Sequence, residues 1–288
     1  MSGCLCISID LELAWGIWDK PSAAYHARCA RHELTIVETL LSTFDRFDVS
    51  ATWAIVGRLL ELDREAAGST EHGDRIWYAP DLIEKISRAP SHQEIGSHSH
   101  AHLYFGLTDR ERLRADLAAA RAVHSRHGLA FDSFVFPRNQ VAHLDLLEEA
   151  GIRVFRSVDE GWFIDVRDRL GTTAGRVANL ADKMLPLPPR AVKPVRHGRL
   201  VELPSSMLLL GRKGVRRVVH PQAMVLKAQL GLERARRTGD MFHLWFHPSN
   251  FYYDTERQLA ALASIVGKAA RMRDRGDLEI RTMGSFAA

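Results

Sequence analysis

The sequence predicts an α/β fold, a (β/α) barrel of about seven to eight parallel strands. Three observations predict it. Short apolar runs alternate with amphipathic segments along most of the 288 residues. Several of those runs are apolar on both faces, as parallel strands covered by helices are. Polar residues recur where the runs stop, at the edge where a barrel of this kind gathers its functional groups.

In chain order, strands are expected at 5–13 (LCISIDLEL), 51–57, 93–99, 132–137, 151–157, 199–204, 241–247 (MFHLWFH) and 277–282. Helices are expected at about 31–47, 80–89, 108–127, 143–150, 221–238 and 254–273. The third opens on Thr108-x-x-Glu111, a capping box, and stops at Gly128. Residues 163–198, with LPLPPRAVKP, break the rhythm and read as a long excursion between barrel units, folded over the site. Residues 1–288 are taken as one barrel domain, with this excursion and a basic segment at about 205–240.

Composition narrows the classes. The chain is 46% hydrophobic and 26% charged, with 11 prolines, so it buries a large core and is not a low-complexity chain. No apolar run approaches the roughly 20 residues of a membrane span, and the N-terminus lacks the basic start of an export signal; a cytoplasmic protein is expected. Cys4, Cys6 and Cys29 form no disulfide framework and read as buried thiols. The net charge of +4 is partly local, in GRKGVRR (211–217) and LERARR (232–237). Such runs are either solvated helix faces or attract a phosphate-bearing substrate or an anionic membrane face. No nucleic-acid motif is present, and no nucleic-acid partner is expected.

The chemistry lies at the strand ends. Asp10 and Glu12 are two apart, so in an extended strand both leave the same face, and a cation beside them is the cheapest way to keep both ionised. EIGSHSHAHLYF carries His98, His100 and His102. A continuing strand would bring all three imidazoles to one face. Gly96-Ser97 instead suggests a strand that has ended and a first helical turn, in which His98 and His102 share a face and His100 points away. Two histidines and one carboxylate leave open positions on a zinc ion, as catalysis requires. His247 ends the strand HLWFH; there it is a core histidine or, facing the metal across a barrel, a proton donor. Trp15, Trp162 and Trp245 are either core aromatics or platforms for a sugar ring.

These stations, in this order, resemble the polysaccharide deacetylases of NodB homology, carbohydrate esterase family 4. The resemblance implies a distorted (β/α) barrel holding one divalent metal, most often zinc, and hydrolysis of N-acetyl groups on amino sugars. SIDLELAWG would supply Asp10 as catalytic base and Glu12 as metal ligand; His98-Ser99 and His102 would complete the metal site, and His247 would be the acid. Leu11 separates acids that are usually adjacent in the family. FVFPRN places Arg138 after a single proline, where the family has arginine before a proline pair. Arg138, or a backbone N–H beside it, would then serve the base or the oxyanion, with Asn139 toward substrate. VDEGW offers Asp159 as the acid that orients an arginine. The expected substrate is an intracellular N-acetylated sugar precursor: a nucleotide sugar, a lipid-linked sugar or an amino-sugar intermediate. The alternatives are a small-molecule amidohydrolase acting on a formamide or cyclic amide or imide, and a catalytically silent sugar-binding relative.

Overall fold

Strand β1 (Gly3–Leu11) is buried along all nine residues, which is why its sequence is apolar on both faces. It anchors the sheet of this computed structural model, which describes residues 2–17, 19, 23–61, 75–158, 161–185 and 187–287. The chain continues through α1 (Ala23–Phe47), β2 (Ala51–Ile55), α2 (Pro80–Ser87), β3 (Gln93–Ser97), α3 (Arg110–Arg126), β4 (Ser133–Val135), α4 (Leu144–Glu149) and β5 (Val154–Ser157). Two helices follow, α5 (Trp162–Leu170) and α6 (Thr172–Met184), then the short strands β6 (Val195–His197), β7 (Leu200–Pro204) and β8 (Met207–Leu208). Helix α7 (Pro221–Thr238), β9 (Met241–Phe246), α8 (Thr255–Asp274) and β10 (Leu278–Arg281) complete it.

The fold is α/β with a mostly parallel sheet in the order β6-β7-β5-β4-β3-β2-β1-β9-β8. Only β6 runs antiparallel, against β7. The hydrogen-bonded path does not return on itself, yet β7, next to one end, and β8, at the other, are separated in the chain by just Ser205 and Ser206. One kinked run therefore pairs with β5 on one side and β9 on the other, which gives the sheet its distorted-barrel curvature. β10 pairs with the first half of β1, Gly3 to Cys6, while β2 takes the second half from Ser8.

Apolar side chains of the helices, such as Leu40 and Phe44 of α1 and Ile265 and Val266 of α8, pack with Ile7, Ile9 and Trp53 of the sheet into one core. The Trp53 indole N–H donates to Gln93 Oε1 at 2.9 Å, so the fully buried ring leaves no orphan donor. A second, aromatic cluster of Phe105, Phe134, Phe136 and Phe155 lies under β4 and β5.

Two local expectations are corrected. Asp109, not Thr108, caps α3: its carboxylate accepts from the Arg112 N–H at 2.9 Å, and an ionised cap at a helix N-terminus is the stronger acceptor. Residues 163–198 are not a loop excursion throughout, because α5 and α6 occupy 162–184, joined at Gly171 with φ +89°. Their signature is masked because α6 buries charges: Lys227 of α7 donates to Asp182 Oδ2 at 2.8 Å, where an apolar stripe is the usual rule. The three cysteines are free and buried, as expected. Among the described residues no helix is long and apolar enough to cross a membrane.

Candidate active site

The carboxylates enter from the end of β1. Asp10 is its penultimate residue, and Glu12 follows at the turn into a short 3-10 helix, Leu13–Gly16. Both reach the same space, for His247 Nε2 lies 3.6 Å from Asp10 Oδ2 and 3.5 Å from Glu12 Oε1. Gly16 makes room: a Cβ on it would stand 1.7 Å from Glu12 Oε2. The shared face expected of the pair is what the geometry delivers, although β1 ends at Leu11.

The imidazoles arrive from the end of β3. No helical turn follows that strand; Ser99 and His102 adopt left-handed conformations, with φ +68° and +56°, in an open loop. The loop nevertheless brings His98 and His102 together and turns His100 away, toward Glu61 at 3.5 Å. Asp116 of α3 holds it, accepting from Ser99 Oγ (2.7 Å), the His100 N–H (2.8 Å) and the Ala101 N–H (2.9 Å). Three hydrogen bonds to one buried carboxylate offset the cost of two left-handed residues.

His98 Nδ1 lies 2.8 Å from the Val135 carbonyl oxygen. A carbonyl only accepts, so Nδ1 carries the proton, and a neutral His98 presents a bare Nε2 to Glu12 Oε1 at 3.0 Å. His102 Nε2 stands 3.1 Å from the same oxygen, and its Nδ1 has no partner among the described residues. With its Nδ1 proton committed to Val135, a neutral His98 sets a lone pair against the Glu12 carboxylate, a contact that a divalent cation resolves. The ligand atoms of Glu12, His98 and His102 lie within 4.8 Å of one another, so this donor set fits such an ion. Burial works to raise the Glu12 pKa, but His102 and His247 hold it well below the usual carboxylate range. Burial lowers that of His102, keeping it in the neutral form that binds metals.

Asp10 meets an arginine, and the arginine is not the one expected. Arg156 of β5, fully buried, donates to both carboxylate oxygens at 2.6 and 2.7 Å. Burial would raise the Asp10 pKa; the guanidinium, aided by His247, holds it below the ordinary value. Arg156 also donates to Ser8 Oγ (3.0 Å) and to Asn139 Oδ1 (3.0 Å), and Trp245 lies over it at 4.3 Å. Ser8 Oγ in turn sits 2.9 Å from His243 Nε2, whose Nδ1 faces the Pro204 carbonyl at 3.2 Å. Burial pushes His243 down to about 3, so it stays neutral and accepts from Ser8.

Arg138 lies elsewhere. It donates to Tyr104 Oη, the Gly16 carbonyl and Asp19, at 3.1–3.2 Å. Arg138 and Asn139 are both left-handed, with φ +56° and +53°, and this strained turn lets the Asn139 side chain meet Arg156 rather than open solvent. Trp15 is a core residue, 6% exposed, its indole donating to the Trp77 carbonyl at 2.9 Å, so it offers no open face to a sugar. Trp245 stands between Arg156 and His247, 5.8 Å from the latter's ring. The Trp162 side chain and Asp159 lie outside the described residues. For His247, burial works downward, but Glu12 and Asp10 beside it prevail and raise its pKa.

Sequence reasoning missed Arg156. Its one signal is a charge inside the strand, on the same face as Val154, where Arg153 lies just before the strand begins.

Residues 32–155 match the family model of polysaccharide deacetylases. No curated protein matches the chain. Among solved structures, it is similar to a protein described as a polysaccharide deacetylase from Mycobacterium smegmatis, at 18% identity and TM-score 0.69, covering 99% of this chain and 89% of that one. A second, so described from Pseudomonas aeruginosa PAO1, is 11% identical with TM-score 0.66 and the same coverage. The PuuE allantoinase is 12% identical with TM-score 0.66, covering 99% and 88%. At these identities the structures speak for the fold alone. Residues 32–155 are thus similar to the polysaccharide deacetylase family, and the whole chain shares the fold of solved structures so described.

Proposed function

We propose that the chain is a metal-dependent hydrolase of amide bonds that removes acetyl groups from N-acetylated amino sugars. One observation carries the reading: the Nε2 atoms of His98 and His102 converge on one oxygen of Glu12, 3.0 and 3.1 Å away, beside an Asp10–Arg156 pair and a raised His247. Glu12, His98 and His102 hold the ion, for which a histidine-rich set favours zinc. When bound, such an ion supplies Lewis-acid polarisation and lowers the pKa of water.

The protein's own groups then divide the proton work. Asp10, kept ionised by Arg156, accepts the proton of the attacking water. His247, kept protonated by the two carboxylates, donates to the departing nitrogen. Arg156 orients Asp10 through two parallel hydrogen bonds, a geometry lysine does not reproduce.

The test pairs metal content by mass spectrometry with acetate release from a panel of N-acetylated sugars, UDP-N-acetylglucosamine included. Asp10→Asn should keep the metal while turnover falls by about 100-fold or more; near-normal turnover removes Asp10 as base. His98→Ala should lose stoichiometric metal, and full zinc content in that variant refutes the ligand set. The allantoinase that shares the fold makes cyclic ureides the rival substrates, so formate release and ureide opening are assayed alongside.

A further inference from the structure

A cavity of about 580 Å³ lies beyond Trp245, between α5, α6 and the edge formed by β8 and β9. Phe163, Leu180, Leu208 and Trp245 line its walls, Arg176 and Arg216 bring positive charge to it, and Lys183 at its wall is paired with Asp182 at 3.3 Å. Among the described residues no carboxylate lines it, and Asn179 is the one uncharged polar residue of its lining apart from the Trp245 indole. Val177 and Val215 belong to the same lining yet are 66% and 74% exposed, so the apolar surface continues outward past the mouth. Arg176 and Arg216 are exposed beside these valines and make no ion pair among the described residues.

We propose that this cavity receives the hydrocarbon chain of an amphiphilic anion, a long-chain lipid phosphate that carries the amide to be cleaved. The proposal rests on the hydrolase reading and names its substrate class. Trp245 is the wall shared with the active site, 5.8 Å from the His247 ring, so a molecule whose chain lies behind it can present its head group to His247. The apolar walls cover methylenes, and arginines at a mouth suit a phosphate. A nucleotide base fits less well: its edges need several neutral donors and acceptors, and among the described residues the lining offers only Asn179 and the Trp245 indole. Nor would a base cover Val177 and Val215, where a chain leaving the mouth would.

Decyl phosphate, uridine monophosphate and inorganic phosphate, titrated calorimetrically into the metal-loaded full chain, test the assignment. Decyl phosphate should bind at least about tenfold more tightly than either of the others. Val177→Asp and Arg216→Glu should each weaken it by roughly tenfold, and Arg271→Glu on α8, away from the cavity, should not. Tighter binding of uridine monophosphate makes the occupant a nucleotide, and decyl phosphate binding untouched by both cavity variants locates it elsewhere; either result overturns the proposal. Binding is read without turnover, so its absence in a protein that releases acetate sinks the cavity assignment alone. Its presence in a protein that holds no metal and cleaves nothing sinks the hydrolase alone.

Discussion

Asp10 and Glu12 stand two residues apart and share one pocket, yet the surroundings of each are built on opposite terms. The Asp10 side is complete within the protein: Arg156 supplies a buried positive charge, Ser8 and Asn139 fix the guanidinium, and His243 fixes Ser8. The Glu12 side has no guanidinium among its described partners, only imidazoles, one of which has spent its proton on Val135. The first half is a stability device with a catalytic consequence. The second is a donor set that fits a cation.

The contrast predicts unequal costs of substitution in metal-free protein, read by denaturant unfolding. Arg156→Leu leaves a buried carboxylate without its partner and should destabilise by about 3–5 kcal/mol. Glu12→Gln should cost under about 1 kcal/mol, because an amide N–H can donate to the bare imidazole nitrogen. Equal losses would erase the distinction between the halves. Adding zinc should raise the stability of the wild type, by about 2.7 kcal/mol at a hundredfold excess over Kd, and not that of Glu12→Gln.

The Asp10 side also leaves a signature in pH. His243 has an ordinary value of 6.5 but is held at about 3 in the fold. The unfolded chain therefore takes up a proton that the folded chain refuses. Stability is full above pH 6.5 and is lost as the pH falls toward 3, and Asp10, depressed by Arg156, adds its own loss below 3.8. In metal-free His243→Met the slope between pH 6.5 and 4 should flatten. An unchanged slope would mean that His243 titrates normally and does not brace Ser8.

Much of this site was legible because its residues obey spacing rules. Two acids at i and i+2 of a strand share a face whatever surrounds them, and a histidine ending an apolar strand faces the barrel mouth. His98 and His102 were paired through a helical turn that does not exist; left-handed Ser99 and His102 bring the two side chains together instead. Arg156 escaped because its role is set by a neighbour across the barrel, on β1, that nothing within GIRVFRS specifies. Arg138 attracted attention by its place at a strand end, and only the positive φ values at 138 and 139 show that the turn directs it outward, to Tyr104 and Asp19. The helices α5 and α6 escaped because buried Asp182 and Lys227 satisfy each other between helices, a pairing without periodicity.

The Glu12 side is sharpened by the residue that carries its loop. Asp116→Ala removes the acceptor of three hydrogen bonds from Ser99, His100 and Ala101, so zinc affinity should fall by about 10- to 100-fold, the range for supporting residues behind metal ligands. Competition with a chelator of known affinity measures it. Unchanged affinity would mean that the β3 end alone positions the imidazoles.

Asp109 supplies the matching control, at the start of the same helix about two turns earlier. Its carboxylate caps α3 through the Arg112 N–H at 2.9 Å and touches nothing in the histidine loop. Asp109→Ala should therefore lower global stability by about 1 kcal/mol, while Thr108→Ala costs only a few tenths. Zinc affinity should stay at the wild-type value in both, because the remaining turns keep Asp116 in place against Ser99. If Asp109→Ala weakens zinc as much as Asp116→Ala does, the loop depends on the helix as a whole rather than on one carboxylate, and the Glu12 side is as much a product of global stability as the Asp10 side.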